Sequence, residues 1–172
     1  MGRLLHDRPF NALPEQQVAL VAHNILTIMS ELHKRGIAHR DLKPMNIMVN
    51  DHLDVKLIDF GSAFLSTSAN NSMAFGTKGY LAPELIASKK SNSKPEKLDI
   101  WAIGTITHML YFGALPELEN SDSQTGLDQS MKQVWGSVPS TMKNFLERAM
   151  ESSPENRATA DELLVHPWLA RA

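Results

Sequence analysis

The chain has 172 residues, the size of one domain and long enough to bury most of its apolar surface in a single core. It is 42% hydrophobic and 21% charged with a formal net charge of −2, which excludes a strong whole-molecule field for nucleic acid or an anionic membrane. It has no cysteine, so disulfides, cysteine zinc sites and a thiolate nucleophile are excluded as well.

The opening Met1-Gly2-Arg3-Leu4-Leu5 lacks the continuous apolar segment of a signal peptide, and no stretch reaches the length of a membrane span. His6 stands where a myristoylated terminus carries Ser or Thr. Asn70-Asn71-Ser72 has the glycosylation pattern, but without a secretory route it is an ordinary polar stretch. A cytoplasmic or nuclear location is expected, with no nucleic acid and no membrane as partner.

From Pro14 to about His33, Val18, Val21, Ala22, Ile25, Met29 and Leu32 recur at helical spacing. Pro14 suits a first helical position and Gly36 a stop. Ile47-Met48-Val49 and Val55-Lys56-Leu57-Ile58, joined by the polar Asn50 to Asp54, predict a small hairpin. Residues 61–81 read as a long polar loop without periodicity, which in a compact domain is usually functional or disordered. Ser88 to Lys97 reads as a surface excursion. Asp99 to Phe112 is apolar nearly all round, as in a buried central helix. Leu115 to Gly136 is weakly patterned, and Ser140 to Met150 predicts an amphipathic helix. Thr159-Ala160-Asp161-Glu162 is a capping box that opens a last helix expected to stop at Pro167. The expected architecture is mainly α with a few short β-strands, as one unit over 1–172.

His39-Arg40-Asp41-Leu42-Lys43-Pro44-Met45-Asn46 is the most informative run. Asp59-Phe60-Gly61 follows at the end of the second strand of the hairpin, and Ala82-Pro83-Glu84 closes the loop beyond it. Asp99 and Trp101 open the central helix, and Arg157 lies near the end. In this order the motifs resemble the C-terminal lobe of a eukaryotic Ser/Thr protein kinase, with a catalytic loop at 39–46 and an activation segment at 59–84. Matching eight or more fixed positions, each about one in twenty by composition, leaves little room for coincidence.

The resemblance implies roles. Transfer of a γ-phosphoryl group needs an oriented hydroxyl and neutralised phosphate charge. Asp41 would accept the proton of the substrate hydroxyl, and Lys43 would balance charge on the phosphoryl group, a lysine there marking Ser/Thr specificity. Asn46 and Asp59 would hold Mg2+ through hard oxygen ligands. Met48 would form the floor under the adenine of ATP, or else pack in the core. Thr77, in Gly76-Thr77-Lys78-Gly79-Tyr80, would hydrogen-bond Asp41 and Lys43, with Lys78 where the family usually has Pro. His39 and Phe60 would stack, Asp99 would anchor the catalytic-loop backbone, and Glu84 would pair with Arg157. Arg40 implies an activation loop that a phosphate can order. Met73 occupies the usual phosphosite, leaving Ser66, Thr67, Ser68 and Ser72 as candidates, or a loop that needs no phosphate. The other histidines, His6, His23, His33, His52, His108 and His166, show no metal-ligand spacing and read as surface or packing residues.

No Gly-x-Gly-x-x-Gly loop, Val-Ala-Ile-Lys strand or partner-Glu helix precedes His39, and Arg3 replaces an acidic residue that often contacts ribose. The resemblance thus implies an N-terminal lobe absent from this chain, and a fragment that transfers phosphate poorly alone. Three readings stay open: a piece of an active kinase acting on protein Ser/Thr hydroxyls, a stand-alone lobe serving as scaffold or decoy, or a marginally folded product. The second expects a regulatory partner or missing lobe on an exposed cleft face. Arg157-Ala158-Thr159 and His166-Pro167-Trp168-Leu169 resemble the end of kinases in the calcium/calmodulin-dependent group.

Overall fold

In the computed structural model, residues 3–5, 13–65, 76–87, 94–116 and 135–171 are described. Pro14 has the extended ψ of 140° and caps helix α1 (Glu15–Lys34) from just outside, so the helix begins one position after the expected start at Pro14. The stripe Val18, Val21, Ala22, Ile25, Leu26 and Met29 is buried, and α1 ends where Gly36 takes φ 70°, a left-handed turn that glycine adopts without a Cβ penalty.

Helix α2 (Pro83–Ala87) precedes α3 (Pro95–Phe112). The sequence places Pro95 to Lys97 in a surface excursion, but they form the first turn of α3. Pro95 lies at the helix start, where its missing N–H and fixed φ cost nothing. From Asp99 to Leu110 every residue of α3 is buried, as the all-round apolar pattern requires. It stops at Gly113, whose φ of 76° lets its N–H donate to the Met109 carbonyl at 2.8 Å. Helix α4 (Ser140–Ala149) buries Met142, Phe145, Leu146 and Ala149. Helix α5 (Ala160–Leu164) opens on the expected capping box, with Thr159 and Glu162 bonding each other's backbone N–H. It ends at Leu164 and not at Pro167, because Pro167 disfavours helical geometry at His166 before it.

α1 packs on α3 and α5, and α4 packs on α3. The core runs through these helices, and Trp168, fully buried against Phe145 at 4.7 Å, donates its indole N–H to Glu15 Oε1 at 3.0 Å. The end of the described chain is thereby tied to the first turn of α1.

Among the described residues, five short strands complete the fold: β1 (Arg3–Leu4), β2 (Ile37–Ala38), β3 (Ile47–Val49), β4 (Val55–Leu57) and β5 (Phe64–Leu65). The predicted hairpin is β3–β4, antiparallel with Ile47 opposite Leu57 and Val49 opposite Val55, and β1 adds on the other edge of β3. The segment read as loop from residue 61 contains β5, which pairs Leu65 with Ile37 and Phe64 with Ala38. Two paired residues are too few for an alternation to register in sequence. Residues 88–93 and most of the weakly patterned 115–136 stretch, 117–134, lie outside the described residues, as do the candidate phosphosites Ser66, Thr67, Ser68 and Ser72, with Met73.

Candidate active site

The loop after β2 is hung from α3. Asp99, with no exposed surface, sits in the first turns of α3 and turns its carboxylate on the backbone of that loop. Its Oδ2 accepts the N–H of His39 at 2.9 Å and its Oδ1 the N–H of Arg40 at 2.8 Å. The anchoring lets Arg40 hold φ 64°, a left-handed conformation that disfavours a side chain. Arg40 Nε donates to the Ser62 carbonyl at 2.8 Å, and its guanidinium lies 5.2 Å from the Phe64 ring centre. Burial pushes the Arg40 guanidinium below its usual pKa, against the opposing pull of Asp99. His39 is fully buried, donating from Nε2 to the Ile58 carbonyl (3.1 Å) and packing on the Phe60 ring at 4.8 Å.

The turn that follows brings three polar side chains together. Lys43 Nζ donates to Asp41 Oδ2 at 2.7 Å and to Thr77 Oγ1 at 2.9 Å, and Thr77 Oγ1 donates to Asp41 Oδ1 at 2.8 Å. Thr77 is 36 positions from Asp41 in sequence and reaches it because Gly76 turns with φ 137°. A Cβ at Gly76 would come within 2.6 Å of Leu81, so glycine is needed there on two counts. Asn46 is buried and donates from Nδ2 to the Asp41 carbonyl at 2.9 Å, closing the loop on itself. The Ile58 N–H donates to the Asn46 carbonyl at 3.0 Å, so Asp59 stands one residue beyond that bridge. Asp59 is exposed, has φ 61°, and accepts the Gly61 N–H at 3.3 Å.

The structure brings Asp41, Lys43, Asn46 and Thr77 into one hydrogen-bonded group, with Asp59 across the hairpin bridge. Met48 is half-buried on β3 opposite Lys56. Glu84, at the start of α2, meets Arg157 through two 2.9 Å hydrogen bonds. Among the described residues no group of three or more His, Cys, Asp or Glu side chains is placed to hold a metal ion. The oxygens of Asn46 Oδ1 and Asp59 nevertheless suit a hard cation, because the Asn46 hydrogen bond to Asp41 runs through its nitrogen and leaves the amide oxygen open.

Sequence reading missed His33. Its Nε2 lies 3.0 Å from Asp99 Oδ2, so it joins His39 and Arg40 on the one buried carboxylate. The available signal was register: His33 falls four residues after the buried Met29, on the inward stripe of α1.

A sequence profile of the protein kinase domain matches residues 3–169. The chain belongs to the protein kinase domain family. Relatives of this kinase domain include the liver/testis isoform of the phosphorylase b kinase gamma catalytic chain of Homo sapiens, 33% identical over 170 residues that cover 93% of this chain and 42% of that protein. Calcium-dependent protein kinase 13 of Arabidopsis thaliana is 34% identical over 168 residues, covering 92% of this chain and 31% of the relative. The Aurora kinase of Schizosaccharomyces pombe is 28% identical over 170 residues, 96% of this chain and 47% of the relative. The kinase domain chain thus spans less than half the length of these curated relatives.

Proposed function

We propose that this chain is the C-terminal lobe of a Ser/Thr protein kinase and carries the groups that aim a protein hydroxyl at the γ-phosphoryl of ATP. The observation that carries the reading is the Asp41–Lys43–Thr77 group. Both Asp41 oxygens are engaged, Oδ1 by Thr77 and Oδ2 by Lys43, yet a carboxylate oxygen accepts more than one hydrogen bond. Asp41 therefore keeps room to accept the proton of a substrate Ser or Thr hydroxyl, at a fixed orientation. The Lys43 ammonium uses two of its three N–H donors on Asp41 and Thr77. Its third is available for an oxygen of the transferring phosphoryl group. Asn46 and Asp59 would hold Mg2+, which neutralises phosphate charge when bound. Met48 would lie under the adenine.

The residue ranges proposed for these parts are 39–46 for the catalytic loop and 59–84 for the activation segment. A second lobe carrying the phosphate-holding Lys and Gly-rich lid would complete the ATP site. Calcium-dependent protein kinase 13 among the relatives and the closing Arg157–Thr159 and His166–Leu169 segments support a place in the calcium/calmodulin-dependent group, and a cytoplasmic or nuclear location is proposed with it. A second reading, a non-catalytic scaffold or decoy, draws support from Met45, Phe60 and Leu65, apolar side chains on or beside the site that are each more than 40% exposed. The deciding experiment measures ATP-dependent phosphorylation of Ser- and Thr-containing peptides by the full-length polypeptide carrying this chain. Asp41→Asn is expected to lower the rate by about 10²–10⁴-fold, the usual contribution of a positioned base. Full activity in that variant would refute the catalytic reading, and an inactive parent with tight protein binding would favour the scaffold.

A further inference from the structure

A cavity of about 310 Å3 opens between the end of α1, the start of α3 and the start of α5. Asp41, Lys43, Asn46, Asp59 and Thr77 take no part in it. Its volume falls at the lower end of the range of small-molecule sites, roughly 300–1,000 Å3. Its walls combine charge with an apolar floor. Lys34, Lys94 and Lys97 reach it, and Ile100 and Ala160, themselves almost fully buried, close its floor. Against three ammonium groups stand two carboxylates, Glu96 and Asp161.

The charges are not equally available. Asp161 is occupied, accepting the Ser30 hydroxyl and pairing with Lys34 at 3.2 Å. Lys97 donates to the Arg157 carbonyl. Burial, first, and the nearby cations Arg157 and Lys94 hold Lys97 below its usual pKa, against the opposing pull of Glu162 and Glu155. The Lys94 side chain is exposed at the mouth and makes no hydrogen bond or ion pair with any described residue. Two ammonium groups three positions apart therefore crowd one rim of a half-enclosed, apolar-floored space. An anion placed between them would relieve that crowding, and a dianion would meet both charges.

We propose that this cavity is a binding site for a small organic phosphate, with the phosphoryl group between Lys94 and Lys97 and the carbon body against Ile100 and Ala160. His33 also lines the cavity, and its Nε2 contacts Asp99 at 3.0 Å. The occupant would sit one side chain from the carboxylate that holds the backbone of His39 and Arg40. The site is independent of the proposed phosphoryl transfer and stands or falls by binding alone.

The test is titration of the full chain with phenyl phosphate, free of magnesium and nucleotide, followed by calorimetry and amide NMR shifts. Inorganic phosphate and phenol serve as the charge-only and ring-only probes. Phenyl phosphate is expected to bind more tightly than either and to shift amides of Lys94 to Ile100. Lys94→Glu should weaken it by about tenfold or more, and Glu96→Gln should tighten it by a few-fold, as like-charge repulsion is removed. Both positions lie at the surface end of α3, and unchanged circular dichroism will show that the variants fold. Equal affinity in the parent chain and Lys94→Glu would overturn the site. Inorganic phosphate or phenol binding as tightly as phenyl phosphate would overturn the organic-phosphate assignment, as would no binding of phenyl phosphate at about 10 mM.

Discussion

Glu84→Ala would cut the link between α2 and the last third of the chain, and its cost follows from what Arg157 keeps. Glu84 accepts Arg157 Nη1 at Oε1 and Nη2 at Oε2, each at 2.9 Å. The Arg157 side chain is fully buried and that of Glu84 is 13% exposed. Removing one member of a buried pair costs about 3–5 kcal/mol, since the other charge stays buried and uncompensated. Here the stranded cation retains partners. Nε donates to the Glu151 carbonyl and Nη1 to the Lys97 carbonyl, both at 2.8 Å, and Nη2 makes a longer contact to Ser152 at 3.4 Å. The guanidinium carbon also lies 5.0 Å from the Trp101 ring centre. Those contacts place Glu84→Ala at the low end, about 3 kcal/mol.

Arg157→Ala should be worse. It leaves three backbone carbonyls and the Glu84 carboxylate without their donor and opens a void beside Trp101, for about 4–5 kcal/mol. Glu84→Gln keeps a neutral acceptor and should cost about 1–2 kcal/mol. Urea unfolding followed by tryptophan fluorescence reads these differences, and for a chain of this size about 3 kcal/mol corresponds to a Tm lowered by about 6–12 °C. A loss below about 1 kcal/mol for Glu84→Ala, or an Arg157→Ala milder than it, would refute the assignment of Arg157 as the more heavily committed partner.

Three further perturbations follow from buried groups. His108 is buried in α3, bonded through Nδ1 to the Ala114 carbonyl at 2.9 Å, with no hydrogen-bond partner for Nε2; burial lowers its pKa from 6.5 to about 4. As pH falls the unfolded chain takes up the proton first, so stability present above pH 6.5 is lost between 6.5 and 4, by about 3 kcal/mol in all; in His108→Phe that part of the pH dependence should vanish from urea midpoints. His33→Ala removes one of the three groups on the Asp99 carboxylate and should cost about 1–3 kcal/mol by urea unfolding, while His33→Gln, whose amide can donate to the same oxygen, should recover part. Gly104→Ala puts a Cβ 2.5 Å from Met150 Cγ and 3.0 Å from Ala149 Cβ, so despite alanine's better helix propensity the variant should lose about 1–3 kcal/mol in thermal unfolding through overpacking.

What the sequence revealed and what it hid divide along physical lines. The stripe of α1, the all-round burial of α3 and the capping box at Thr159 are periodic or local signals, and each gave its element to within a few residues. The turn of α3 from Pro95 to Lys97 was misread because three polar-flanked residues carry no period of their own, and β5 because a two-residue strand cannot alternate. The proposed site was legible as a set of residue types through resemblance, but not as a geometry. Nothing in the spacing of Asp41 and Thr77 places their oxygens 2.8 Å apart; that depends on Gly76 and on the packing of Leu81 beneath it. His33 was hidden for the opposite reason. A lone histidine on a helix usually packs or faces water, and only the burial of its stripe together with a carboxylate 66 positions away gives it a task.

The backbone itself argues that these residues are held for their side chains. Among the described residues, three that are not glycine take left-handed φ: Arg40, Leu53 and Asp59. Each such residue costs about 1–2 kcal/mol relative to a right-handed conformation, a cost glycine would avoid. Leu53 has a local explanation, since it closes the β3–β4 turn, its N–H donating to the Asn50 carbonyl at 3.2 Å while the Asn50 side chain accepts the N–H groups of His52 and Asp54. Arg40 has no such turn to serve, while Asp59 caps the short turn Phe60–Ser62 by accepting the Gly61 N–H. Arg40 is fixed from outside by Asp99, by the Ser62 carbonyl and by the Phe64 ring, and Asp59 follows the bridge from Ile58 to Asn46. Glycine at either place would relax the backbone and remove the guanidinium or the carboxylate. Retaining both against strain, and using the buried carboxylate of Asp99 to hold one of them, supports the proposed site, in which those groups are needed at set positions.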